Sequence, residues 1–303
     1  MKTIPSFRRA SHSLLAILLC SFFVLSCKKE DETPKVKNIV ETALADPQFS
    51  TLVAALQKAE LVNTLSGPGP FTVFAPNNAA FTKAGITDLT KVSKDDLTKI
   101  LLDHVLGAKV LAANVASGEA TTAGSRKIYL SKNAGGVFIN GKIKVTTADI
   151  NTANGVIHII DDVIVQPTQS LVQIATTNPS FKTLASLVVQ ADLVGTLNGG
   201  PFTVFAPTDA AFTELFKTVN PATLTKKQIT DILLYHVVPG RVFSSDLTNN
   251  ASVQTALSTG KITINLASGV GVKATAGAES KVTGADILAT NGVIHVIDKV
   301  LIP

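Results

Sequence analysis

The sequence predicts an α+β protein built from two similar domains in tandem, and three observations carry this. "FTVFAPNNAAFT" (71–82) returns as "FTVFAPTDAAFT" (202–213), agreeing at ten of twelve positions. "NGVIHIID" (154–161) returns as "NGVIHVID" (291–298), agreeing at seven of eight. Within each copy, helical patterns come first and strand patterns later, the order of an α+β domain. The copies are offset by 131–137 positions. That period is far longer than a solenoid repeat and allows each copy its own core. A domain of that size buries roughly two-thirds of the surface its unfolded chain exposes, so neither copy requires a disulfide or a metal to fold.

Each element has a local reason. "VKNIVETALA" places Val36, Ile39, Val40 and Ala43 on one helical face, and "FSTLVAALQKAELVNTL" does the same with Phe49, Leu52, Val53 and Leu56. Asp46-Pro47 separates these two helices, as Asn178-Pro179 does in the second copy. Gly67–Pro70 and Gly199–Pro201 form turns into the recurring phrase. "FTVFAP" alternates, with Phe71, Val73 and Ala75 on one side and Thr72 and Phe74 on the other, so it reads as a strand that its proline ends. The polar residues that follow, "NN" or "TD", cap a short helix.

A further helix begins at Ser93 and at Thr225. Ser93-x-x-Asp96 is similar to a capping box, and Thr225-x-x-Gln228 is a fuller one. Its apolar stripe runs through Ile100 and Leu101, or Ile232 and Leu233, toward His104 and His236. The remainder reads as strands: "RKIYL", then "GVFINGKIKV" with a hairpin turn at Asn140-Gly141, then "GVIHIIDDVIV". "GKITINL" and "GVIHVIDKVLI" follow in the second copy. "DDVIVQPTQSLVQ" (161–173) leaves almost no spacer between copies, which predicts a stiff junction.

"FTVFAPTDAAF", "YHVVPG" (Tyr235–Gly240) and "ADILATNGVIHVIDKVLIP" (Ala285–Pro303) together resemble the fasciclin domain, an extracellular adhesion module. The first copy carries the same three in weaker form, with "DHVLGA" (Asp103–Ala108) in the middle, and the resemblance covers nearly everything after about residue 35. It implies a β-wedge of two small sheets flanked by helices. It also implies a role for the Tyr-His pair, an adhesive element of the family together with nearby apolar residues. That pair maps onto Tyr235 and His236; beside His104, Asp103 replaces the tyrosine, which weakens an adhesive role there. The alternative is that Tyr235, ending an apolar stripe, buries its ring with the hydroxyl satisfied.

The first residues are of another kind. Lys2, Arg8 and Arg9 precede a short apolar run, Leu14–Leu25, too short for a membrane span but proportioned as a signal-peptide core. "VLSC" (Val24–Cys27) resembles a bacterial lipobox, which implies cleavage after Ser26 and acylation of Cys27. Multiple acyl chains anchor a protein stably. "KKEDE" (Lys28–Glu32) resembles the export signal of Bacteroidota surface lipoproteins, implying an outer-membrane location facing the exterior, with the periplasmic face as the alternative. The division is then 1–26 signal peptide, 27–34 lipidated cysteine and tether, 35–168 first domain and 169–303 second domain.

Removing the leader's three basic residues from the total leaves 24 basic against 22 acidic residues, which gives no electrostatic case for nucleic acid. Cys27 is the one cysteine left after cleavage and would be capped, which rules out a thiol enzyme. His104, His158, His236 and His295 occupy matching positions in the copies, but at separations of 54 and 59 residues they lack short metal-ligand spacing. His158, flanked by Ile157 and Ile159 on a strand, reads as a hydrogen-bonded histidine at the core edge. No nucleophile elbow or phosphate loop is present, and Asp161-Asp162 is matched by Asp298-Lys299, so one carboxylate is common to both copies. The expectation is no enzyme, no cofactor and no metal. The leading function is a lipid-anchored surface module binding an extracellular protein or polysaccharide. A carbohydrate-handling accessory at the outer membrane, disfavoured by the absence of Trp, and a structural spacer are the alternatives.

Overall fold

A computed structural model of the chain describes residues 35–275 and 277–303; the expected signal peptide, Cys27 and the charged tether lie outside the described residues. The first repeat runs α1 (Ile39–Leu44), α2 (Ser50–Lys58), α3 (Val62–Ser66), β1 (Phe71–Pro76), α4 (Asn78–Lys83), α5 (Lys94–Asp103), β2 (Val105–Leu106), β3 (Gly118–Thr121), β4 (Lys127–Asn133), β5 (Gly136–Ile139), β6 (Ile143–Thr152) and β7 (Gly155–Ile160). The second repeats that order as α6 (Leu171–Thr177), α7 (Lys182–Gln190), α8 (Val194–Asn198), β8 (Phe202–Pro207), α9 (Asp209–Leu215), α10 (Lys226–Tyr235), β9 (Val237–Pro239), β10 (Ser252–Gln254), β11 (Lys261–Asn265), β12 (Gly271–Lys273), β13 (Ser280–Ala289) and β14 (Gly292–Ile297).

The two recurring phrases are neighbours. β1 pairs with β7 in parallel, from Phe71 opposite Gly155 to Pro76 opposite Ile160, and β8 pairs with β14 in the same register. β7 is buried along its whole length and β1 after its first residue, as expected of strands covered on both faces. One face carries Val73, Ala75, Ile157 and Ile159 against the helices; the other carries Phe74 and Ile160 against Ile128, Ile139 and Ile164. The second repeat has the same two cores, with Phe205, Ile262, Ile264 and Ile297 on the side away from the helices.

The strand order is β2-β1-β7-β6-β5-β4-β3, and β9-β8-β14-β13-β12-β11-β10 in the second repeat. The two small sheets of the expected wedge share one long strand. β6 pairs with β5 at its start and with β7 thereafter, with register shifts between Val145 and Thr147 and between Thr147 and Ile150. Such irregularities bend a strand and let it serve both sheets. The Asn140-Gly141 hairpin forms as the sequence indicates, with φ of 50° and 79°, the left-handed pair that a tight hairpin requires.

Most helices also follow their sequence signals. Asn38, Asn77, Ser93 and Thr225 cap helices through their side chains, and Thr225 with Gln228 completes a capping box. Two expectations are corrected. The pattern over 49–65 is two helices, α2 and α3, broken where Glu60 turns left-handed at φ 58°, as Asp192 does at 63° in the second repeat. Val36 precedes α1 and is exposed, so the buried stripe of α1 is Ile39, Val40 and Ala43. β2, two apolar residues, is too short and β3 too polar to stand out from periodicity alone.

The glycine and asparagine of "NGVIH" serve the packing of the central strands. A Cβ on Gly155 would sit 2.1 Å from Phe71 O, and one on Gly292 would sit 2.1 Å from Phe202 O. Asn154 accepts from Ile39 N at 3.0 Å and donates to Leu65 O and Gly67 O, each at 2.8 Å. One side chain thus ties the start of α1, the end of α3 and the start of β7 together. Asn291 does the same with Leu171 N and Leu197 O.

Residues 36–303 form one compact unit. Tyr129 packs its ring 4.9 Å from that of Phe243 across the repeats, Ser131 Oγ meets Ser245 Oγ at 2.6 Å, and Asn133 Nδ2 donates to Ser245 O at 2.8 Å. These contacts join the two repeats directly, beside the short spacer that predicts a stiff junction. Asn154→Ala should lower the unfolding free energy by about 2–4 kcal/mol in urea titrations, since it strands buried backbone groups. Gly155→Ala should abolish folding of the first repeat, whereas Gly107→Ala, whose Cβ meets nothing within 4 Å, should be close to neutral.

Candidate functional site

The shared polar residues converge beside the central strand pair. His104 caps the C-terminus of α5, its Nδ1 2.8 Å from Ile100 O, while Nε2 accepts from Ile164 N at 2.9 Å. Because Nε2 must accept, Nδ1 carries the proton. His236 repeats this with Ile232 O at 2.8 Å and Leu301 N at 2.8 Å. Each imidazole therefore fastens the segment that leaves the last strand of its repeat onto the end of a helix.

The second pair of histidines uses the opposite tautomer. His158 Nδ1 accepts from Asp149 N at 3.1 Å and Nε2 donates to Val110 O at 2.8 Å. His295 does the same with Asp286 N at 3.3 Å and Val242 O at 2.9 Å. The loop that supplies Val110 is itself held by Thr72, whose hydroxyl donates to Ala108 O at 2.6 Å and accepts from Val110 N at 2.8 Å. Thr203 matches it. With both ring nitrogens committed to backbone, none of the four imidazoles has a lone pair left for a metal.

Burial pushes His104 and His236 down to about 4, opposed only in part by the carbonyls they face. A second proton on Nε2 would point at the N–H of Ile164 or Leu301, two donors facing each other. Burial lowers His295 as well, against the Val242 carbonyl and the Asp286 carboxylate.

The structure places the expected adhesion residues in the interior: Tyr235 is 0% exposed, and His236 and His104 are 2% exposed. The Tyr235 hydroxyl donates to Lys261 O at 2.6 Å and accepts from Thr275 N at 2.9 Å, so the buried-ring alternative describes its geometry. Asp103 holds the corresponding place in the first repeat by other means. Its carboxylate takes Arg126 Nε at 2.8 Å and Nη2 at 2.6 Å. Burial still pushes the Asp103 carboxyl above its ordinary range, with Arg126 opposing. Arg126 precedes "KIYL" as Gly260 precedes "KITI", and the Tyr235 ring lies where a Cβ on Gly260 would sit, 2.5 Å from Cδ2. Aspartate faces arginine in one repeat where tyrosine faces glycine in the other.

Some positions lay beyond the sequence reading. Asp149 and Asp286, left-handed at φ 62° and 61°, accept from Ala112 N and Ser244 N. Their recurrence in the "ADI" that both copies carry was the available signal. Asp161 and Asp298 likewise hold backbone, at Lys144 N and Lys281 N.

Comparison with known proteins accounts for this shared framework. A family model described as the fasciclin domain matches residues 47–166 and again residues 179–303. The chain belongs to the fasciclin family. Protein sll1483 of Synechocystis sp. is 45% identical over 139 residues, covering 45% of this chain and 77% of the relative. Transforming growth factor-beta-induced protein ig-h3 of Sus scrofa is 28% identical over 275 residues, covering 88% of this chain and 40% of ig-h3. A solved FAS1 domain pair from the insect cell adhesion molecule fasciclin I covers 84% of this chain and 97% of its own, at 18% identity and a TM-score of 0.42. Fasciclin domains are interaction modules of extracellular and adhesion proteins. In this fasciclin pair the four histidines and the two asparagines of the repeated phrase are occupied with backbone.

Two tests follow from this geometry. Depressed histidine pKa values mean that the unfolded state binds protons more readily between about 6.5 and 4. Stability should therefore be full above about pH 6.5 and fall as the pH drops toward 4, by up to about 3 kcal/mol per imidazole. Urea unfolding across this range checks it, and His236→Gln should flatten the slope. Arg126→Gly should cost about 3–5 kcal/mol by leaving the Asp103 carboxylate buried and unpaired. The double change Asp103→Tyr with Arg126→Gly should recover most of that loss in the same assay.

Proposed function

We propose that this protein is a lipid-anchored adhesion module whose two fasciclin domains, over about 35–168 and 169–303, face the cell exterior and bind an extracellular protein or polysaccharide. The observation that carries this reading is the commitment of the four histidines, Tyr235 and the matched asparagines, Asn154 and Asn291, to backbone. A framework whose imidazoles, tyrosine and asparagines all hold the fold offers its partner a surface, as an interaction module does. "VLSC" and "KKEDE" supply the anchoring and display half of the reading, with Cys27 as the acylated residue. Among the described residues no helix is long and apolar enough to cross a membrane. Two domains on one anchor raise avidity toward a repetitive surface.

Tyr235 and His236 support adhesion in this reading by shaping the surface above them. Radiolabelled fatty acid should enter the protein and be lost in Cys27→Ala, which should also leave the membrane fraction. Protease added to intact cells should degrade the domains; protection until lysis would refute outward display.

A further inference from the structure

The faces that the repeats turn toward each other enclose a cleft of about 420 Å³. Three cations line it: Arg126 and Lys127 from the first repeat and Arg241 from the second. Glu119 stands among them, 3.3 Å from Arg241 Nη1 and 3.7 Å from Lys127 Nζ. Asp103 behind Arg126 and Asp246 beside Tyr129 bring the charges around the cleft into balance, so any anion is held by individual donors. Both guanidiniums are fixed in place. Arg241 Nη2 donates to Thr290 O at 2.7 Å, and Arg126 Nη2 donates to Lys99 O at 2.7 Å. Among the described residues Arg126 Nη1 has no protein partner, so a charged donor remains free at the cleft.

The wall between the cations is aromatic. The chain has no Trp and two Tyr. Tyr235 is sealed in a core; Tyr129 is half-buried in the cleft, backed by Phe243, and among the described residues its hydroxyl has no partner. Burial and the carboxylates of Asp246 and Glu119 keep that hydroxyl protonated, hence a donor. The Gln166 side chain, Thr290 and Glu119 add acceptors.

We infer that the cleft between the two repeats binds an acidic sugar unit of a polysaccharide, its carboxylate held by the cations and its ring laid on Tyr129. Arg126 Nη1 and Lys127 Nζ supply charged donors for a carboxylate, and an aromatic face accepts the C–H face of a sugar. A volume of about 420 Å³ falls in the range of small-ligand sites. Glu119 can accept from the ring hydroxyls that a sugar carries beside its carboxylate and that an acidic side chain lacks. The site needs both repeats, which gives the tandem arrangement a chemical purpose. This inference specifies the partner in the surface-binding reading above and rests on it.

Calorimetry on the purified protein tests it, with an oligogalacturonate, a neutral oligoglucan of the same length and poly-glutamate as probes. The oligogalacturonate should bind, weaken with added salt, and lose tenfold or more in Arg241→Gln and in Tyr129→Leu. Asp103→Tyr with Arg126→Gly removes the Arg126 guanidinium without stranding a buried charge and should weaken binding similarly. If that pair fails to fold, Lys127→Gln takes its place, while Lys273→Gln on the far sheet should bind as the unaltered protein does. Absence of oligogalacturonate binding, equal binding of the neutral glycan or of poly-glutamate, or unchanged affinity in the cleft variants would overturn the proposal. Protease accessibility on cells reads the display hypothesis separately: displayed protein that ignores the glycan defeats only the cleft assignment, and glycan-binding protein that is protected on cells defeats only the outward anchor.

Discussion

The parallel pairing of β1 with β7, and of β8 with β14, is the constraint on which the rest of each repeat depends. Parallel strands need cover on both faces and a long connection between them. Both needs are visible here. The chain between β1 and β7 builds α4, α5 and the outer strands, and the pair then divides two apolar clusters, one under the helices and one under the outer strands. The backbones approach so closely at the start of the pair that only glycine fits at 155 and 292. A few residues, recurring almost unchanged, therefore position nearly every other element.

The polar residues around that pair close what the strands leave open. A helix end, a returning loop and a terminal segment each carry backbone groups without partners in regular structure, and burying them unpaired is costly. Neutral imidazole can donate from one nitrogen and accept at the other, so one buried side chain joins two such segments. The two tautomers in each repeat are assigned by what they face: Nε2 accepts at His104 and His236, Nδ1 at His158 and His295. The same commitment excludes them from metal binding or proton transfer at the surface. In this molecule the polar side chains that recur in both repeats serve the fold.

The repeats differ in the residues they bring to the faces where they meet. Arg126 holds Asp103 in the first, and Arg241 reaches from the second to Glu119, so the cations of the inter-repeat cleft are oriented by groups that also serve stability. Tyrosine with glycine, or aspartate with arginine, fills the same post, and the choice in the first repeat places a guanidinium at the cleft. A substitution that looks like degeneration of the Tyr-His motif is accompanied by its own compensating partner.

Much of this was legible in the sequence for physical reasons. The duplication, the capping residues, the Asn-Gly hairpin and the buried strand phrase are local signals, each set by a backbone preference or a short periodicity, and they determined the α+β class and the two-repeat plan. The break at Glu60 was hidden because a non-glycine residue in a left-handed turn leaves no compositional mark. The fate of Tyr235 and the histidines could not be read either, because their partners lie 4 to 65 residues away and are mostly backbone atoms, which the sequence does not distinguish. The cleft joins Glu119 to Arg241 across 122 positions. Local propensity carries no information over such a span; only the packing of one folded repeat against another decides which side chains meet.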